Sequence, residues 1–387
     1  MSRRLAAISA ALVFLACAGR VETARRPRYG GVLRIEIAAT VKSLDAGATV
    51  ANPAEVDGRD QLNALVQDRR AADGIPPLIA PFKMAEWEPG KHATLVANDD
   101  ASGGRPFVAA VQVQMGRTAR DRTLDLELGK ADLAEIPVEQ ARQAADRGVR
   151  VSLSQPDELL ALVFPAGRAA TEDARVREAL AAAIDRASIV NFILQKNGEA
   201  AGGLLPQWSS GTAFLFPTAA DPARAKELWT QIASAPKLTL RYDSGDPLEQ
   251  SVAERIVVNA REAGISVTAQ ALQAGAPAAG VDGLLMRLRM PSPAPRAALV
   301  NFLSVLGPVA NIDASPLPDP ATPQDIYDRE RAAISSGRVA PLVWLPQAYG
   351  LSARVRNWKA PGPGETWPLA DVWLDIPPSP ESEKEKQ

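Results

Sequence analysis

The sequence predicts an α/β fold. Strand-like stretches alternate with amphipathic helices along most of the chain, and one stretch, 237–269, reads as a complete strand–helix–strand unit. In addition, 32 prolines among 387 residues interrupt the chain too often for a helical bundle. The elements follow in order. Residues 32–38 alternate around Leu33, Ile35 and Ile37 after the Gly30-Gly31 turn, a strand pattern. A helix is expected over 60–70, and two strands over 82–97 joined at Glu88-Pro89-Gly90-Lys91. Residues 107–115 alternate again. Helices over 118–128 and 138–147 stop at Gly129 and Gly148, and strands are expected over 131–136, 149–153 and 159–164.

The pattern continues in the second half. Residues 172–184 set Val176, Leu180, Ala183 and Ile184 on one helical face, and a shorter helix follows over 187–194. Asp221-Pro222 opens another helix, with aspartate at the cap and proline at the first helical position. Leu238, Leu240 and Tyr242 share one strand face, 248–263 is a long helix ended by Gly264, and 265–269 alternates as a strand. A late helix over 325–336 ends at Gly337, ahead of an apolar strand over 339–344.

The first residues suggest export. Arg3 and Arg4 precede an apolar run over 5–16, about twelve residues against the roughly 20 that a membrane span needs. Two processing routes are open: cleavage after Ala16-Cys17-Ala18, or cleavage before Cys17 with lipid on its sulfur, for which Phe14-Leu15-Ala16 is a loose lipobox. Residues 1–18 are therefore expected as a signal peptide, 19–28 as a linker and 377–387 as a disordered tail. Cys17 is the only cysteine, so no internal disulfide is expected. Net charge is −2, which leaves no electrostatic footprint for nucleic acid. A composition 46% apolar and 23% charged is globular, with material for two domains.

Catalytic and metal chemistry find little support. His92 is the single histidine, next to a turn, and no G-x-S-x-G motif is present, so neither a hydrolytic triad nor a zinc centre is expected. The glycines of Gly103-Gly104-Arg105 and Gly202-Gly203 lack phosphate-loop spacing. Asp185-Arg186 reads as a helix end, with Arg186 at the C-terminal dipole and Asp185 capping the next helix. Trp208, Phe214 and Phe216 stand in a Gly/Ser-rich loop and either line a ligand cleft or pack. Arg287 and Arg289 lie at strand spacing on one face, either meeting an anionic ligand or facing solvent. Trp344 and Trp358 are expected to pack in a core.

Several segments together resemble the family 5 extracellular solute-binding proteins, the group of dipeptide- and oligopeptide-binding components of ABC importers. They are Tyr29-Gly30-Gly31-Val32-Leu33-Arg34-Ile35, Ser43-Leu44-Asp45, Trp87-Glu88-Pro89-Gly90, Val176-Arg177-Glu178-Ala179-Leu180 with Ala183-Ile184-Asp185-Arg186, and Asp221-Pro222-Ala223-Arg224-Ala225. The resemblance implies a two-lobed periplasmic-binding-protein-like (type II) α/β fold with mixed sheets. It divides the chain into lobe 1 over 29–165 plus 311–376, and lobe 2 over 166–310. It further implies a small or peptide-like ligand in the interlobe cleft, an ABC transporter permease as partner, no cofactor, a monomer, and residence in the periplasm or at the outer face of the cytoplasmic membrane.

Two departures qualify it. Residues 45–77 are too few for the family's long segment there, so the first lobe is expected to be reduced. Residues 286–293 lack the aspartate with which peptide-binding members pair a free amino group. Losing such a bond removes roughly 1.5 to 3 kcal/mol. A second reading follows: a degenerate relative serving as a periplasmic interaction protein without a transport role.

Overall fold

A computed structural model describes residues 26–45, 47, 53–68, 78–212, 215–273 and 280–375. The expected signal peptide with Cys17, most of the linker, Phe214 and the tail lie outside the described residues.

Two sheets organise the chain. The first contains β1 (Val32–Glu36), β2 (Phe82–Glu88), β3 (His92–Ala97), β4 (Ala110–Gln114), β5 (Leu133–Ile136), β6 (Arg150–Leu153) and, from the far end of the chain, β13 (Ala348–Leu351). Their order is β2-β3-β4-β1-β5-β13-β6. β1 runs parallel to β4 and β5, whereas β13 is antiparallel to β5 and β6. Helices α1 (Pro53–Val66), α2 (Ala119–Glu127) and α3 (Ala141–Asp146) accompany this sheet. Leu33, Ile35, Phe82, Leu95, Val113, Tyr349 and Trp358 form its core.

The second sheet contains β7 (Glu158–Val163), β8 (Glu199–Ala200), β9 (Leu238–Asp243), β10 (Val267–Leu272), β11 (Gly283–Arg289) and β12 (Val339–Leu345), in the order β10-β9-β11-β7-β12-β8. β9, β10 and β11 are parallel, and β7 is antiparallel to both of its neighbours. β7 is buried on both faces, which explains its unbroken Leu-Leu-Ala-Leu-Val run. Leu160 and Leu162 meet helices α4 (Ala174–Ala183), α5 (Pro222–Thr230) and α6 (Pro247–Glu262). Leu159, Ala161 and Val163 meet α7 (Pro295–Ala310) and α8 (Pro323–Ser335) on the opposite face.

The helix starts follow the sequence chemistry. Asp173 accepts from Arg175 N at 2.9 Å, Asp221 from Arg224 N at 2.8 Å, and Asp246 from Leu248 N and Glu249 N at 2.9 and 3.0 Å. Each satisfies backbone donors that the first turn leaves unpaired. α8 begins with a capping box of Thr322 and Asp325. Asp185 caps the next turn by accepting from Ser188 N, and buried Arg186 donates to Ala181 O and Ile184 O at the end of α4 and to Pro341 O at 2.7 Å. On α8, Glu330 is 2% exposed and accepts the Leu205 N–H at 2.8 Å. Gly203 makes that approach feasible, since a Cβ there would lie 2.7 Å from Oε1 of Glu330. With no cation beside it among the described residues, burial pushes the Glu330 carboxyl up to about 7.

The expected lobe division does not survive strand pairing. β7, β12 and α8 fall within the residues expected for lobe 1, yet β7 and β12 hydrogen-bond into the second sheet and α8 packs on that sheet's face. Local alternation marks a strand without naming its neighbours. The chain instead changes sheets at 154–157 and again at 346–347. Trp344 accordingly packs beside Phe302 of the second lobe, ring centres 6.3 Å apart, rather than in the first. The helix expected over 60–70 starts earlier, at Pro53, and ends at Val66.

The two crossings form a two-strand hinge. Ser154 N donates to Gln347 O at 2.9 Å and Asp157 N to Leu345 O at 3.1 Å. Gln347 returns bonds from N to Ser154 Oγ (2.9 Å) and from Nε2 to Asp157 Oδ2 (3.1 Å).

Candidate functional site

The carboxyl ends of parallel strands from both sheets converge on one cavity of about 780 Å³. Open α/β sheets present their ligand sites at this edge. The first wall consists of Ala38 beyond β1, Arg117, Thr118 and Arg122 beyond β4, and residues 135–139 at the end of β5. The second wall consists of Glu158 on β7, Asp243 at the end of β9, Asp246 at the cap of α6, and Arg287 and Arg289 on β11. The hinge residues 345–348 lie between them. A side chamber of about 100 Å³ shares Ala38, Glu135, Arg289 and Gln347 with the cavity and adds Asp57, Gly58, Tyr349 and Trp367.

The arginines are already engaged. Arg287 places Nη1 2.6 Å from Glu158 Oε2, Nη2 2.6 Å from Asp246 Oδ2 and Nε 3.8 Å from Glu249 Oε1. Burial pushes the Glu249 carboxyl up to about 7, opposed by the Asp243 N–H at 2.8 Å. Arg289 reaches across the lobes to Asp57 Oδ2 at 2.5 Å and lies 3.7 Å from Asp157 Oδ2 at the hinge. Asp157 is fully buried, which raises its carboxyl to about 6 against the pull of Arg289. Arg117 pairs with Asp125 and stands 3.6 Å from Glu36. Arg122, also buried, donates to Glu135 O and Arg117 O at 2.7 and 2.6 Å.

Two carboxylates contrast with these. Glu135 and Glu139 form no ion pair among the described residues, and burial raises both above the usual carboxylate range. On β5, Leu133 and Ala134 are buried on opposite faces, so period-two alternation sends Glu135 to the side of Leu133, where the cavity and its side chamber meet.

The residues singled out from sequence divide among several places. Arg287 and Arg289 line the cavity. Trp208 does not: it lies on the turn Gln207–Ser210, packs toward the α7 side of the second sheet and donates Nε1 to Pro156 O at 3.0 Å. Phe216 lines a separate groove of about 570 Å³ with Arg177, Arg186 and Pro341. Trp208 and Phe216 therefore do not share a cavity with Arg287 and Arg289, because their segment packs against the second lobe. His92 begins β3 with Nδ1 3.2 Å from Glu88 Oε2, outside the cavity. Glu135, Glu139, Arg117, Arg122 and Asp246 were not anticipated. The available signal was Glu135 itself, a carboxylate enclosed by apolar neighbours in the strand Leu-Ala-Glu-Ile.

Comparisons with known proteins agree with this architecture. The description of bacterial extracellular solute-binding proteins, family 5 middle, matches residues 48–304. A probable D,D-dipeptide-binding periplasmic protein of Escherichia coli strain K12 is 28% identical over 229 residues, covering 56% of this chain and 44% of that protein. The chain thus spans less than half the length of the curated relatives it matches. Among solved structures, the ABC transporter substrate-binding protein CtaP of Listeria monocytogenes superposes with a TM-score of 0.67 at 18% identity, covering 84% of this chain and 70% of that one. The oligopeptide-binding protein AppA of Bacillus subtilis, in complex with a nonapeptide, gives 0.64 at 14% identity, covering 91% and 100%. These likenesses show the type II periplasmic-binding fold with mixed sheets. With more than half of its length inside the family match, the chain belongs to the bacterial extracellular solute-binding proteins of family 5, which bind ligands without transforming them.

Proposed function

We propose that the chain captures a small, peptide-like ligand in the cavity between its two sheets and delivers it to the permease of an ABC importer. One observation carries the reading: a cavity of about 780 Å³ lies where the carboxyl ends of parallel strands from both lobes meet, beside a hinge of only two strands. That volume is within the range of small-molecule sites, roughly 300–1,000 Å³. Closure of the lobes about such a hinge reports occupancy to the partner. The peptide ligands named for the similar proteins support the ligand class. In this reading Arg287 and Arg289 shape the cavity wall, while Trp208 and Phe216 support the second lobe. The extracellular character of the family supports export; the reading adds a monomer, processed either after Ala18 or before Cys17 with lipid on its sulfur.

The test is native mass spectrometry of the protein purified from its own envelope, followed by small-angle scattering with and without the retained molecule. A defined ligand whose return contracts the protein is the expected result. A protein that retains nothing, and whose melting temperature no peptide panel moves, would leave the interaction-protein reading in its place.

A further inference from the structure

We infer that the second lobe carries a binding site of its own, separate from the interlobe cavity, for an organic carboxylate with an apolar body. The site is the groove of about 570 Å³ between α4, residues 216–224, the end of α8 and the start of β12. Ala181, Ala182, Phe216, Pro217, Ile334 and Val339 give it apolar walls, and its volume is within the range of small-molecule sites. Two cations, Arg177 and Arg186, also line it, and each residue is 6% exposed.

Neither cation has a carboxylate within ion-pair distance among the described residues. Arg186 donates to the carbonyls of Pro341, Ala181 and Ile184, and burial lowers its guanidinium to about 10 with no charge opposing the shift. Arg177 donates to Thr171 O, Glu172 O and Ser336 O at 2.6, 2.9 and 2.9 Å. Its Nε is buried without an acceptor among the described residues, and so is Nη1 of Arg338. Burial, and then the charge of Arg338, lower the Arg177 guanidinium, the mark of a corner with excess positive charge. The space beside the Arg177 Nε belongs to the groove: Gly337, another lining residue, would place a Cβ 3.6 Å from it.

The nearby acids are already engaged. Glu172 accepts from Gly167 N and Arg338 Nη2, and Asp173 from Arg175. Among the groove's own residues, Glu178 pairs with Arg224 and Asp221 caps α5. Carbonyl oxygens satisfy the hydrogen bonds of a buried cation without neutralising it. A carboxylate entering the groove supplies both the missing acceptor and the missing charge. An inorganic anion would leave the apolar walls unused, whereas a carboxylate on a hydrocarbon chain or ring covers both.

The experiment is calorimetric titration of the full chain with octanoate and with octylammonium, which puts the opposite charge on the same body. Arg177 gathers three backbone oxygens, so the variants leave it in place: Ala182→Phe fills the groove and Arg338→Gln removes one charge, with urea midpoints to verify folding. The expected result is binding of octanoate alone, lost in Ala182→Phe and weakened roughly tenfold in Arg338→Gln. No octanoate binding, equal binding of octylammonium, or octanoate affinity unchanged in either folded variant would overturn the assignment. None of these outcomes bears on the interlobe cavity, whose occupancy is read from the ligand retained by the native protein.

Discussion

Glu330→Gln should remove a pH-dependent loss of stability built into the second lobe. Burial holds the folded Glu330 carboxyl near 7, against 4.5 for the ordinary group, and the Leu205 N–H only partly offsets it. Between those values the folded protein keeps a proton that the unfolded chain releases, so stability falls as pH rises through the window and the full loss is present above 7. Working the linkage from 4.5 and 7 gives about 2.5 kcal/mol between pH 5 and pH 8. Because Glu330 is 2% exposed, solvent screening takes little from that figure. Glutamine retains the acceptor for Leu205 and cannot ionise. Its amide brings an unpaired donor of its own, so the informative quantity is the pH difference and not the absolute stability. Urea denaturation of both proteins at pH 5 and pH 8 reads it directly. Glu249 and Asp157 titrate in the same range in both proteins and cancel. The variant should gain about 2.5 kcal/mol on wild type between the two pH values. Parallel pH profiles would show that Glu330 does not titrate in this window and that the argument from burial is wrong.

Three further perturbations test other parts of the structure. Asp132 is fully buried, and although burial alone would raise its carboxyl, Arg354 and Arg34 hold it down to about 2. Its contribution is therefore present above pH 4 and lost as pH falls toward 2, about 2 kcal/mol after allowing for the half-exposed arginines, so Asp132→Asn should be less stable at pH 7 and flatter under acid denaturation followed by circular dichroism. Gly350→Ala would drive a Cβ onto Leu126 Cδ1 and to 3.1 Å from Val149 Cγ1, costing about 1 to 3 kcal/mol; an unchanged urea midpoint would contradict the packing described for β13. Arg287→Met leaves Glu158, Asp246 and Glu249 facing one another, with an expected loss of about 1 to 3 kcal/mol at pH 8. That loss should shrink at pH 5, where Glu249 is protonated, and a pH-independent loss would show that the cluster is not electrostatically coupled.

The helices with strong end signals were legible because that chemistry is local: Asp221 caps one start, and Gly264 closes the end of another. α7 was not, since Leu299, Phe302, Leu303 and Leu306 sit among further apolar residues and Gly307-Pro308 interrupts the pattern. Which sheet β7 and β12 join was equally hidden, because both are buried on two faces and either sheet would accept such strands. At the cavity, strand spacing placed Arg287 and Arg289 together. Their partners Asp57, Asp157, Glu158 and Asp246 come from positions 41 to 232 residues away in sequence, and no local pattern announces such pairings. Nothing local in the sequence marks Glu135 and Glu139 as lining a cavity between two sheets.

The two-strand hinge also makes the second lobe an insertion within a hairpin. Leu153 of β6 and Ala348 of β13 are partners on one rung of the first sheet, and Glu158 of β7 and Leu345 of β12 are partners on one rung of the second. Everything between residues 153 and 348 could in principle be excised and the first sheet closed with a short turn. Conversely, the second lobe of a related protein could be spliced in at the same two points without altering any strand order. The hinge is thus a covalent seam along which ligand-binding walls can be exchanged as modules, each bringing its own half of the cavity.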